Sequence, residues 1–237
     1  MSPYDNYPKD TWNGPVARPN FPPQQVQPPA YGMKMHYIEQ TFRNINFNFM
    51  DDCVIKIRSL ELSLLEEFEF LADYLLRCVI LENDDIHVAC FANISLKLGT
   101  MMITTDNGVI VFRQFLTNKF EHAFLDCFKQ RINSQKSREV YNLTRFIAEL
   151  YILDFINIAV LNMCMDVLFR NEISCNYSVF CINIVIRAIG PRLKDHNSKV
   201  LFDRYFQFFT DVCAKKETSY RSDIYRELIE SVSYTHL

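Results

Sequence analysis

The chain has 237 residues, a 49% hydrophobic and 22% charged composition, and a formal charge of −3. Its five glycines are too few and too scattered for a dinucleotide fold or a phosphate loop, which need them clustered where backbone meets phosphate. A β-sandwich or barrel would need turn residues at regular short intervals, and none recur that way.

Residues 1–34 form the first expected unit. Eight of the nine prolines lie within the first 29 residues, with Gln24, Gln25, Gln27 and the only tryptophan, Trp12. Such a segment buries too little apolar surface to offset its ordering entropy, so a disordered or extended arm is expected. Trp12 or Phe21 could anchor it on a partner as a linear motif. The first twelve residues are polar and lack the apolar stretch of a secretory signal. No apolar run reaches the roughly 18 residues of a membrane span. A cytoplasmic protein without membrane contact is therefore expected, with its cysteines in a reducing compartment. No two cysteines form a CxxC pair, and Cys78, Cys90, Cys127, Cys164 and Cys181 sit inside apolar runs, as small buried hydrophobes do. Three Asn-x-Ser/Thr matches, beginning at Asn93, Asn142 and Asn176, are expected to be fortuitous.

From residue 35 the apolar spacing is mostly three and four, the period of a helix face. A weak first helix is expected over 37–49, with Ile38, Phe42, Ile45 and Phe49 on one stripe. A strong one follows over 60–81, where Leu64, Leu65, Phe68, Leu71, Ala72, Leu75 and Leu76 make a wide face. Asp84 and Asp85 read as an N-cap and first-turn charge for a helix ending at Leu98, with Gly99 as its C′ residue. Residues 100–108 read as a loop with an Asn-Gly turn. Helices are then expected over 109–132, 140–153, 156–169, 177–189, 199–213 and 220–229, with the polar stretch 133–138 separating two halves and Gly190-Pro191 acting as a stop. Short links make consecutive helices antiparallel neighbours. Paired as 37–50 with 60–81, 84–98 with 109–132, 140–153 with 156–169 and 177–189 with 199–213, they repeat about every 40–45 residues, the period of HEAT-type repeats. The expected fold class is therefore all-α: an α-α superhelix, a HEAT-like solenoid of antiparallel helix pairs, preceded by the Pro-rich arm.

Enzyme signatures are weak. The pairs Asp51-Asp52 and Asp84-Asp85 suggest Mg²⁺-binding carboxylates, but no second acid pair follows one turn on, and helix capping accounts for them. The five histidines are scattered, none at metal-ligand spacing, and no GxSxG or HExxH pattern occurs. A non-catalytic protein is expected, with no catalytic residue, metal or cofactor. Basic residues cluster instead: Arg113, Lys119, Lys129, Arg131, Lys136, Arg138 and Arg145 around the middle, and Lys194, Lys199, Lys215, Lys216 and Arg221 toward the end. Inter-helix loops line up along a solenoid's edges, where such residues could contact phosphate.

Five segments carry a family resemblance. Arg145-Phe146-Ile147-Ala148-Glu149-Leu150-Tyr151 resembles the "kFIGELfkl" signature of the middle domain of eukaryotic translation initiation factor 4 gamma. The segment from Cys181 to Gly190, with Leu193 beyond it, resembles that family's "ecLCkLLttiGk.Ld". Val111 to Asn118 resembles "vnFRklLLnrc", Val88 to Ile94 resembles "fs.aYAnmc", and Phe68 to Leu75 resembles "kFdvLldqL". All five occur in the family's order. Two departures are plain: Ala148 stands where the family usually has glycine, and the usual charged linker is shortened to 133–139.

The resemblance implies a HEAT-repeat scaffold in messenger RNA translation initiation or its regulation, like the poly(A)-binding-protein-interacting proteins and related adaptors. The domain would span 35–231. Its partners would be the DEAD-box initiation helicase, messenger RNA in some members, and other initiation factors through the Pro-rich arm. Phe112, Phe146, Glu149, Leu150 and Gly190 are expected to specify the fold, with Gly190 ending its helix at positive φ. Arg113, Lys119, Arg138, Lys215, Lys216 and Arg221 are the edge candidates for a partner or RNA. A solenoid adaptor for transport or signalling complexes, without RNA binding, is the alternative. Residues 232–237 read like the translation of a transposon mosaic end used in sequencing libraries, so a non-native tail on a truncated chain is expected there. A genomic reading frame that terminates after Leu237 would refute that expectation.

Overall fold

The structure is a computed structural model that describes residues 31–43, 45, 47–82, 84–128, 134–171, 176–190, 199–200 and 203–207. The expectations for the arm before Tyr31, for the helix over 220–229 and for the tail 232–237 lie outside the described residues. The described residues are mostly helical: α1 (Tyr31–Phe42), α2 (Met50–Arg58), α3 (Leu65–Leu81), α4 (Asp85–Leu98), α5 (Phe112–Cys127), α6 (Ser134–Ile152), α7 (Ile158–Asn171) and α8 (Asn176–Ile189). A 3-10 turn (Phe47–Phe49) precedes α2, and one antiparallel hairpin, β1 (Met102–Thr105) with β2 (Gly108–Val111), separates α4 from α5. The fold class is all-α. Residues 203–207 form a further helical stretch, within the segment expected as helix 199–213.

Each helix packs on the helix two further along the chain. The odd helices form one series, α1 on α3, α3 on α5 and α5 on α7; the even helices form another, α2 on α4, α4 on α6 and α6 on α8. Consecutive helices join the two series, and α6 also touches α3. The reason is visible in α3. Phe68, Leu71, Ala72, Leu75, Leu76 and Val79 are all buried, a stripe wide enough to face two neighbours, while Glu66, Glu69, Asp73 and Arg77 stay exposed. Leu64 and Leu65, expected on the same stripe, are exposed, because α3 starts only at Leu65 and the chain enters from the solvent side.

Helix ends follow local chemistry. Asp84 caps α4 as expected, its carboxylate accepting from the Ile86 amide at 2.8 Å. Asn157 caps α7, accepting from the amides of Ala159 (3.0 Å) and Val160 (3.1 Å), which starts the helix at Ile158 rather than 156. The last turn of α3 is capped from another helix. Buried Asn142 of α6 donates to the carbonyls of Ile80 (3.1 Å) and Glu82 (2.8 Å). Its side chain is thus engaged inside the fold, out of reach of a glycosyltransferase.

Several expectations are corrected. α1 begins at Tyr31, and Lys34 and Met35 are buried, so the expected boundary after residue 34 falls inside the first helix. Helix 37–49 is two elements: Ile38, Phe42 and Ile45 are buried, but Phe49 lies beyond the break and is exposed. α2 was not anticipated, since only Cys53, Val54 and Ile57 of its nine residues are buried and its stripe is narrow. The expected loop 100–108 and the start of helix 109–132 together make the hairpin. Gly108 takes φ +121° at its turn, Ile103 points into the core, and β-branched Val109, Ile110 and Val111 suit the strand. The polar stretch 133–138 lies largely within α6, which begins at Ser134, so its polarity does not mark a break. Gly190 does end α8, but without positive φ, so a left-handed turn is not its role.

Gly99 also differs from expectation. It lies in the right-handed region (φ −58°, ψ −20°), so any residue could adopt its backbone. What excludes a side chain is space: a Cβ would sit 2.9 Å from Cε2 of Phe155. Gly99→Ala is expected to destabilise the fold by about 1–3 kcal/mol through overpacking. Urea denaturation reads this directly; a midpoint unchanged from wild type would show that the Phe155 ring can yield.

Candidate interaction surface

The edge candidates fall into three situations. Arg113, in the first turn of α5, reaches the tight turn after α6. Its Nε donates to the Phe155 carbonyl at 2.6 Å, a terminal nitrogen donates to the Asp154 carbonyl, and the guanidinium lies 5.3 Å from the Phe155 ring centroid. That turn needs support, since Asp154 adopts φ +57°. Arg113 is therefore a clamp between α5 and the α6–α7 turn. Arg113→Met is expected to cost about 2 kcal/mol, because two backbone carbonyls lose a charged donor. Thermal unfolding measures it; an unchanged melting temperature would mean the clamp contributes nothing.

Lys119, two turns on in α5, is held by α3. Its ammonium pairs with Glu69 (2.8 Å) and Asp73 (3.1 Å) and lies 5.7 Å from the Phe115 ring centroid. Partial burial works to lower its pKa, but the bonds to Glu69 and Asp73 outweigh this and leave it raised, so the charge is fixed. Arg138 is exposed on the first half of α6, with its guanidinium 5.4 Å from the Tyr141 ring centroid. Lys215, Lys216 and Arg221 lie outside the described residues. Of the three described candidates, Arg113 and Lys119 serve internal contacts at different neighbours, the α6–α7 turn and α3.

The fold-motif residues are placed more uniformly. Phe112, Leu116, Phe146 and Leu150 are fully buried, and Ile147 nearly so. Phe112 meets Phe68 edge-on at 5.3 Å, and Phe146 meets Phe120 edge-on at 6.3 Å. Ala148 is buried and fits the packing of α6. Glu149 is half-buried, its carbonyl accepting from the Leu153 amide at the helix end, and Gly190 is half-buried.

The acid pairs have internal partners. Asp51 pairs with Lys97 of α4, and Asp52 with Lys56 one turn on at 2.5 Å. Arg58 donates to the Lys97 carbonyl and to Thr100 Oγ1 (2.9 Å), tying α2 to the end of α4. Among the described residues no group of three His, Cys, Asp or Glu side chains is placed to hold a metal ion. The six described cysteines are free thiols, five of them buried. Burial pushes Cys53 and Cys164 up to about 12 and Cys78 up to about 11, so these thiols stay protonated and poorly nucleophilic near neutral pH. Among the described residues no helix is long and apolar enough to cross a membrane.

What residue-type reasoning missed is a groove between α1 and α3. Two adjoining hollows, of about 550 and 350 Å³, share Glu39, Tyr74 and Arg77. The first is walled by Phe42, Arg43, Cys78, Leu81, His87 and Phe91, the second by Glu66, Glu69, Phe70 and Asp73. Phe70 and Tyr74 stack at 5.9 Å with their rings 14° apart, and Phe42 packs on both Tyr74 and Phe91. The signal was present in the sequence. Glu66, Glu69, Asp73 and Arg77 recur at helical spacing on the polar side of α3.

The class of protein so defined is an all-α chain whose surface features are ion-paired helix edges and an aromatic-floored groove. No protein-family model matches the chain, and no curated protein matches it.

Proposed function

We propose that the chain is a non-catalytic scaffold of messenger RNA translation initiation or its regulation, working in the cytoplasm and docking a DEAD-box helicase on a HEAT-like α-α superhelix. The observation that carries the reading is the packing of each helix on the helix two further on, in two parallel series, which is what stacked helix pairs produce. The burial of Phe112, Phe146, Ile147 and Leu150 supports it further, since those are the apolar positions of the segments that resemble the initiation factor 4 gamma middle domain. The test is a pull-down of purified initiation helicase by the full chain. Capture at micromolar concentration is the expected result, and no capture would overturn the reading.

A second reading is favoured by one specific observation. Arg113 and Lys119, the first two candidates for phosphate contact, spend their charge on the protein's own carbonyls and carboxylates. That supports a solenoid adaptor whose partners are proteins and whose assemblies survive nuclease. Direct RNA binding would instead fall steeply with added salt as counterions are released. Titrating a fluorescent single-stranded RNA at two salt concentrations separates the two readings.

A further inference from the structure

The groove between α1 and α3 is more acidic at one end than at the other. Toward the start of α3 lie Glu66, Glu69 and Asp73, with Glu39 opposite on α1; Lys119, paired with Glu69 and Asp73, and Arg77, midway along, offset them in part. Toward the end of α3 lie Arg77 and, across the groove, Arg43, both exposed, with Glu82 on the same wall. Among the described residues neither guanidinium has a hydrogen bond or ion pair, and the nearby Glu82 carboxylate already faces His87 at 3.3 Å. The middle is apolar, with half-buried Tyr74 and Phe70 above a floor of buried Phe42 and Phe91. From Glu66 to Leu81 the groove follows α3 for about 22 Å at 1.5 Å per residue. About seven extended residues cover that length.

We propose that this groove docks a charge-polarised peptide segment of a partner protein. Its carboxylates meet Arg43 and Arg77, its central apolar side chain rests on Tyr74, and its basic side chains meet Glu66, Glu69 and Glu39. Charge complementarity selects this occupant. A nucleic acid carries one sign along its whole length, so it would set phosphates against four carboxylates at one end. A uniformly basic or acidic peptide fails at one end in the same way. A segment with block charges satisfies both ends, and the polarity fixes which way round it lies. The proposal does not rest on the translation reading, because it needs neither RNA nor a helicase.

The test uses the full chain and two dye-labelled heptapeptides of the same composition, followed by fluorescence anisotropy. One has block charges, Asp-Asp-Ala-Phe-Ala-Lys-Lys; the other alternates them, Asp-Lys-Ala-Phe-Ala-Asp-Lys. The block peptide is expected to bind about tenfold more tightly. The double variant Arg43→Glu/Arg77→Glu should abolish that difference, and Lys56→Gln, outside the groove, should keep it. Both arginines are exposed, so folding is checked by circular dichroism, and Glu66→Lys gives a second variant with the same expected loss. Equal affinity for the two peptides, no binding at millimolar protein, or a preference untouched by the variants would overturn the proposal. So would displacement of the peptide by oligouridylate. Preference appearing only after Asp5→Asn/Asp10→Asn would make the chain's own arm the occupant, and a dimer lost in the arginine variant would make it a second copy; either result overturns the proposal.

Discussion

Glu67→Ala is expected to lower the stability of the fold by about 3–5 kcal/mol, because it strands a buried ammonium. Lys34 of α1 and Glu67 of α3 form an ion pair at 2.9 Å, with side chains only 5% and 2% exposed. Both partners make further hydrogen bonds. Glu67 Oε2 also accepts from the amides of Ser63 (2.7 Å) and Leu64 (3.1 Å), so it supplies the carboxylate half of a capping box for α3. Lys34 also donates to the Glu61 carbonyl at 3.3 Å, on a residue held at φ +49°. One ion pair thus joins the first turn of α1 to the irregular entry of α3. Removing both charges should cost much less than removing one, since Lys34→Met/Glu67→Leu leaves no orphan. Urea melts of the three variants test this. A Glu67→Ala cost below about 1 kcal/mol, the range of exposed pairs, would refute it.

The pair also sets an acid limit. Burial pushes the Glu67 carboxyl up, but the bonds from Lys34, Ser63 and Leu64 together win and leave its pKa lowered. A carboxyl depressed on folding contributes stability that is complete above its unfolded pKa of about 4.3 and is lost as pH falls through the folded value. The wild-type chain should therefore lose stability below about pH 4.3 more steeply than Lys34→Met/Glu67→Leu does.

Legibility of this chain from sequence follows the width of each apolar stripe. α3, α4, α7 and α8 are broad, regular and close to where the periodicity predicts them, because burial on two sides writes a wide pattern. α2 buries three residues, so its pattern could not be told from a loop. The hairpin was hidden for a different reason: four-residue strands with one buried side chain, Ile103, carry no alternation long enough to read. Glycine roles were the least legible. Gly108 needed its positive φ, whereas Gly99 is defined by Phe155, a neighbour 56 positions away that no local rule could supply. The same limit governs the surface. Counting lysines and arginines found Arg113 and Lys119, but only the fold shows that their charges are already used. It also shows that Arg43 and Arg77 line one groove, Arg77 from α3 and Arg43 from just past the end of α1.

The fold-motif reading has its sharpest consequence at Phe146. α6 is the hub of the packing, in contact with α3, α4, α5, α7 and α8, and Phe146 is fully buried on it against Phe120 of α5. Phe146→Ala is expected to cost about 3–5 kcal/mol, combining lost transfer energy with the cavity left between rigid neighbours. Phe120→Ala should cost a similar amount. Because the two rings meet edge-on, at 90°, the double variant should cost less than the sum of the singles by about 0.5–1.5 kcal/mol. This separates a fold residue from a partner residue. If Phe146 acts only through packing, Phe146→Leu, which keeps most of the buried volume, should retain the helicase capture that the proposed function expects, in proportion to its folded fraction. Loss of capture by a fully folded Phe146→Leu would instead make this position part of the partner's site and contradict its burial.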